Sequence, residues 1–208
     1  MQLLRLSGSN RRLMAMDWVP ALEDFLNSRQ PRTHTEWEAT PAAVLVPFYQ
    51  EREDWHLLLT RRTNHVNSHR GQVSFPGGAI DASDASVEAA ALREAHEEIG
   101  LASEGVRLLG RMDSLLTVTQ FHVTPVVATI PWPIRLRLQP LEVAAVFGVP
   151  LAWLRDPANL SVEQRQGPML GKPVPVYHFV PFQDEIIWGV TARIIVDLLA
   201  LLDQLTPG

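Results

Sequence analysis

The chain of 208 residues contains no cysteine. Disulfides, a thiolate nucleophile and cysteine-ligated zinc are thereby excluded. Lysine is nearly missing as well: Lys172 is the only one among 18 basic residues, and the rest are arginine. Arginine forks suit phosphate, but for most of these residues the bias is read as compositional. No apolar run approaches the roughly 18 residues of a membrane-spanning helix. Residues Met1 to Val19 carry Arg5, Arg11, Arg12 and Asp17 and lack the apolar segment of a secretory signal. A cytoplasmic location without a membrane partner is therefore expected. A net charge of −5 argues against a nucleic-acid partner.

What remains is ordinary globular material, 46% hydrophobic, enough for one domain with a sizeable core. Residues 1–41 form an N-terminal extension in which Val19, Leu22, Phe25 and Leu26 recur at helical spacing, predicting an amphipathic helix from Trp18 to Leu26. Residues 42–208 make the main domain. Ala42 to Tyr49 and Trp55 to Arg62 read as strands joined by a polar turn, which predicts a hairpin. Further strands are expected at Val106–Arg111, Phe121–Ile130, Glu142–Val149, Val176–Phe182 and Ile186–Trp188, with helices beginning at Leu151 and spanning Thr191–Leu205. Pro125 cannot donate to a ladder, which predicts an edge or a bulge for its strand. The loop Asp113–Thr119 is rich in hydroxyls and is placed near the site.

The densest signal lies between Phe75 and Leu101. Glu94, Glu97 and Glu98 stand at i, i+3 and i+4, within an arc of about 100° on a helix. Ala91, Leu92, Ala95 and Ile99 fill the neighbouring arc, so the helix can bury one stripe and present carboxylates beside it. Like charges at this spacing repel, and a hard dication held by carboxylate oxygens is the natural compensation. Asp84 or Ser86 is placed to cap the N-terminus, and Gly100 stands where a left-handed residue ends a helix. Pro76-Gly77-Gly78 predicts a tight loop whose backbone can approach a ligand.

This stretch resembles the signature box of the Nudix hydrolases, G-x5-E-x7-R-E-U-x-E-E-x-G-U with U aliphatic. The second half, Arg93-Glu94-Ala95-His96-Glu97-Glu98-Ile99-Gly100-Leu101, matches nearly residue by residue. The first half departs. Counted from Gly78, the first Glu position holds Asp84, and one extra residue separates it from Arg93. Upstream, Leu58-Leu59-Thr60, Arg62, Thr63, Gly71 and Phe75-Pro76-Gly77-Gly78 resemble the segment L-L-T-x-R-(S/A)-x3-R-x3-G-x3-F-P-G-G of the coenzyme A pyrophosphatase branch. Thr63 replaces its Ser or Ala and Asn67 its second Arg, with Arg70 nearby as a substitute.

The resemblance implies an α/β (α+β) fold, a Nudix-type α/β/α sandwich with a mixed sheet between helices. It implies Mg²⁺ or Mn²⁺ on Glu94, Glu97 and Glu98, and Arg93 orienting a glutamate through a bidentate pair. Glu142 opens a predicted strand and is either a further carboxylate of the site or a strand-edge charge facing water. Arg61, Arg62, Arg70, Gly77 and Gly78 are the implied substrate-side residues, although alternation points Arg61 and Arg62 to opposite faces. The implied reaction is hydrolysis of the pyrophosphate of coenzyme A, a small-molecule substrate. Two alternatives stay open: another nucleoside diphosphate derivative such as ADP-ribose or a dinucleotide, and a nucleotide-binding module without turnover. A homodimer is an assembly the reading allows.

Overall fold

The computed structural model describes residues 18–33, 38–63, 71–166 and 173–205. Its centre is β1 (Thr40–Glu51), whose run from Ala42 to Tyr49 is almost wholly buried because helices cover both faces. β1 forms the expected hairpin with β2 (Asp54–Arg62), the polar turn lying at Arg52 and Glu53. β3 (Val73–Ser74) continues along β2, and β4 (Gly77–Ala79) pairs antiparallel with Ala42–Val44 of β1. On its other edge β1 runs parallel to β7 (Phe121–Thr129), the one parallel pairing in an otherwise antiparallel sheet among the described residues. β5 (Arg107–Arg111) and β6 (Leu115–Leu116) lie beyond β7, and β8 (Val143–Pro150) lies beyond β2.

The sheet is mixed and sandwiched, as expected. Alternate residues of the central strands point to opposite faces. Val46, Phe48, Leu57, Leu59 and Val127 pack against α1 (Trp18–Asn27), α3 (Leu151–Leu154) and α4 (Gly189–Leu205). Ala43, Leu45, Leu58, Val126 and Ala128 meet α2 (Val87–Ile99) through its Ala90, Ala91, Ala95 and Ile99. Three alanines on that inner stripe leave little side-chain bulk between helix and sheet. In α1, Trp18 is fully buried, with ring centroids 4.8 Å from Phe48 and 5.1 Å from Trp55. The segment after α1 is fastened by Asp113, which accepts from the Arg29 guanidinium and from the Arg32 N–H at 2.9 Å. No described helix is long and apolar enough to cross a membrane.

Three strand expectations need correction. Pro125 does not sit on an edge strand, because β7 is interior, between β1 and the β5/β6 pair. It is tolerated because β5 ends opposite Val126 and β6 begins opposite Val123. In that gap only the Pro125 carbonyl is used, accepting from Met112 N–H at 3.0 Å. The second correction is a strand absent from the sequence reading, β9 (Leu160–Gln166), which pairs with β10 (Pro173–Phe179) as a separate ribbon. Residues 161–165 are exposed, so apolar alternation had little reason to mark them. Ile186–Trp188 forms no strand, only a bridge between Trp188 and His178.

Candidate active site

Local signals fix α2. The Ser86 side chain caps its start by accepting from Ala89 N–H at 3.1 Å, and Gly100 ends it at φ 67°, a left-handed conformation with little penalty only for glycine. Glu88 in the first turn pairs with Arg111 at 3.0 Å. His96 stands apart from the acids, exposed, with Nδ1 3.3 Å from the Leu101 carbonyl oxygen.

The three glutamates are not one solvated face. Glu97 is 58% exposed, Glu94 17% and Glu98 only 3%. Glu98 lies beneath β4, where Oε2 accepts from Gly77 N–H at 3.2 Å and Oε1 from Arg62 Nη1 at 3.4 Å. Burial pushes its carboxyl up to about 7; Arg62 and the Gly77 N–H oppose the rise, while Glu94 and Glu142 add to it. Burial likewise raises the Glu94 carboxyl against the pull of Arg93, with Glu97 and Glu142 contributing in the same direction as burial. Glu142, exposed in the turn before β8, thus repels both acids.

Gly77 and Gly78 form a strand rather than the expected tight loop. A Cβ on Gly78 would stand 2.7 Å from the Glu94 carboxylate, and one on Gly77 would stand 2.3 Å from the Ala43 carbonyl oxygen. The two glycines make room for the acids and for β1.

Arg93 is the hub beneath the cluster. Its bidentate partner is Asp84, not a glutamate: Nε to Oδ1 is 2.9 Å and Nη2 to Oδ2 is 3.0 Å. Nη1 reaches Glu94 at 2.8 Å and Glu97 at 3.2 Å, and Nη2 also donates to the Ala79 carbonyl at 3.1 Å. The extra residue before α2 has therefore not cost Arg93 its acidic anchor. The Asp84 carboxyl is held below its ordinary range, first by the hydrogen bond from Arg93 and then by that from the Asp81 N–H. Its contribution to stability is present above the unfolded value of about 4 and is lost as pH falls through the lowered folded value. Asp84→Asn should lack that contribution at neutral pH, so its melting temperature should decline less on acidification than that of the unmodified protein in a pH series. A pH dependence equal to that of the unmodified protein would refute the anchoring role.

Arg61 and Arg62 do point apart. Arg62 joins the acids, whereas Arg61, 44% exposed, pairs with Glu185 at 3.0 Å on the other face. Arg70, His65, His69 and Asn67 lie outside the described residues. A cavity of about 420 Å³ opens elsewhere, lined by Pro41, Ile80, Val87, Arg111, His122 and Thr124 with neighbours from Gln30 to Thr33. None of the clustered glutamates lines it.

The donors suit a hard dication, since every side chain in the cluster offers carboxylate oxygen. Glu94, Glu97, Glu98 and Glu142 outnumber the guanidinium groups of Arg93 and Arg62, and burial disfavours the charge on Glu94 and Glu98. Among the described residues no three acidic or histidine side chains are already gathered as a ligand set. Arg93 draws Glu94 and Glu97 while Arg62 draws Glu98.

Sequence reasoning missed the Asp84 anchor, although the box position counted from Gly78 pointed to it. It also passed over Thr63, whose N–H and hydroxyl hold the segment bearing Glu142 at 2.8 and 2.7 Å.

Comparison with known proteins places the chain in a family. A NUDIX domain family model matches residues 39–167. The uncharacterized Nudix hydrolase NudL of Enterobacter sp. (strain 638) is 42% identical over 178 residues, covering 84% of this chain and 83% of that protein. NudL of Salmonella paratyphi B is 40% identical over 187 residues, covering 85% and 90%. A MutT/nudix family protein from Enterococcus faecalis has a similar fold, with a TM-score of 0.51 at 15% identity over 98% of this chain and 76% of that one. With the domain matched across the sheet and the acidic helix, and relatives aligned over most of their length, the chain belongs to the Nudix hydrolase family.

Proposed function

We propose that the protein is a divalent-cation-dependent pyrophosphohydrolase of nucleoside diphosphate derivatives, with coenzyme A and its derivatives as substrates. The products would be 4′-phosphopantetheine, or its acyl form, and adenosine 3′,5′-bisphosphate. One observation carries the reading. Arg62 and Gly77, both from the segment resembling the coenzyme A branch, converge on the carboxylate of Glu98 from the acidic box.

Glu94, Glu97 and Glu98 would hold Mg²⁺ or Mn²⁺. Such a cation neutralises phosphate charge and lowers the pKa of an attacking water. The chain's own groups do the rest. Arg93, anchored by Asp84, keeps Glu94 and Glu97 in register. Arg62 brings a guanidinium to the buried end of the cluster, 3.4 Å from Glu98, where its positive charge suits an anionic substrate. Glu142, exposed beside buried Glu98, has room to take a proton from water and release it to solvent.

Incubating coenzyme A with the protein and Mg²⁺, followed by mass spectrometry, tests the reaction. Coenzyme A should be cleaved better than 3′-dephospho-coenzyme A, with ADP-ribose poorer than either. A charge-assisted contact to the 3′-phosphate contributes about 1.5–3 kcal/mol, or roughly 10- to 150-fold in kcat/KM. Arg70→Ala tests the arginine outside the acid cluster and should narrow the first gap while sparing dephospho-coenzyme A, whereas Arg61→Ala, which removes only the pair with Glu185 on the other face, should leave the gap unchanged. If ADP-ribose proves the best substrate, the coenzyme A assignment falls and the general hydrolase reading stands.

A further inference from the structure

The segment from Arg137 to Val143 is strapped between the two elements that bear the acidic cluster. The last carbonyls of a helix lack partners within it. Here the Glu98 carbonyl accepts from Gln139 N–H at 2.8 Å and the Ile99 carbonyl from Arg137 N–H at 2.9 Å. The segment turns back on itself, since Glu142 and Val143 both donate to the Gln139 carbonyl, at 3.0 and 2.8 Å. Its other end is held by Thr63, the residue after β2. The Thr63 N–H donates to the Glu142 carbonyl at 2.8 Å and its hydroxyl to the Leu141 carbonyl at 2.7 Å.

This second attachment lies where regular pairing fails. The register of β2 against β8 shifts between Arg61 and Arg62, and the last pair is Arg62 with Val143. Leu141 cannot anchor the peptide by packing, because it is 69% exposed. Thr63 is only 7% exposed, so its hydroxyl bond is sheltered from water.

We infer that Thr63 is a positioning residue, whose hydroxyl latches the Leu141–Glu142 peptide and so holds Glu142 beside the C-terminal end of the acidic helix. The inference rests on the proposed role of Glu142 in the site. Ångström-scale misplacement of a catalytic group costs on the order of 10²-fold, and partial loosening correspondingly less.

Thr63→Val keeps the shape and removes the hydroxyl, whereas Thr63→Ser keeps the hydroxyl. Thr63→Val should lower kcat about tenfold with KM and melting temperature little changed, and Thr63→Ser should restore turnover to within about twofold. The double variant Thr63→Val/Glu142→Gln should be no slower than Glu142→Gln alone, because both act through one carboxylate. Amide hydrogen exchange over residues 137–143 should rise in Thr63→Val and not in Thr63→Ser. Additive losses in the double variant, or unchanged exchange in Thr63→Val, would overturn the inference. Absence of coenzyme A cleavage by the unmodified protein would count against the proposed substrate instead, since exchange reads the latch without substrate.

Discussion

Glu98→Gln should lower kcat by about 10²-fold or more, equivalent to roughly 3 kcal/mol of transition-state stabilisation, while leaving the protein folded. Glutamine keeps an oxygen to accept the Gly77 N–H and removes the charge that burial disfavours. Against that gain, Arg62 loses its attraction to a carboxylate 3.4 Å away, but it is 24% exposed and can recover hydration. The two effects oppose each other, and net stability should change by no more than about 1 kcal/mol. What the variant lacks is the anionic oxygen that a hard cation requires at the buried end of the cluster. Glu97→Gln should share the kinetic loss from the exposed end. Steady-state kinetics beside thermal melts decide the matter: wild-type turnover in both variants would sink the metal assignment.

Trp18→Ala should destabilise the protein by about 3–5 kcal/mol. The indole is fully buried on the face of the sheet that α1 shares with α4, edge-on to both Phe48 and Trp55. Truncation removes most of an aromatic side chain from a site walled by β1, β2 and helical side chains, leaving a cavity that fixed secondary structure cannot close. For a domain of this size the melting temperature should fall by roughly 6–20 °C. Trp18→Phe should recover most of that loss, because it keeps an aromatic ring and removes an indole N–H that has no hydrogen-bond partner among the described residues. Circular dichroism melts of the two variants measure the difference. Near-identical melting of Trp18→Ala and the unmodified protein would show that α1 is not needed to complete the core.

The contrast between these residues shows how much was legible in the chain. α2 was readable almost entirely, because its determinants are local: Ser86, one of two cap candidates, and Gly100 at its ends, an apolar stripe through Ala91, Ala95 and Ile99, and carboxylates one turn apart. β1, β2, the hairpin turn and α4 were readable for a similar reason, since their apolar runs are long and their boundaries polar. β9 was not, because an exposed ribbon imposes no burial pattern on its sequence.

By itself, the sequence determined the spacing of Glu94, Glu97 and Glu98 and the opposite facing of Arg61 and Arg62, since helix and strand periodicity act over a few residues. Tertiary structure decided their environments. Glu98 is buried and Glu97 exposed because β4, brought in by its pairing with β1, covers one part of the helix face and not another. The pairing of Arg62 with Glu98, the approach of Glu142 to both acids and the Thr63 latch join positions 36 to 79 residues apart. No local periodicity encodes such contacts; they follow from the packing of β2, β8 and α2 around one sheet. Pro125 makes the same point, because a proline's missing donor marks a break in a ladder without saying which neighbouring strand is interrupted.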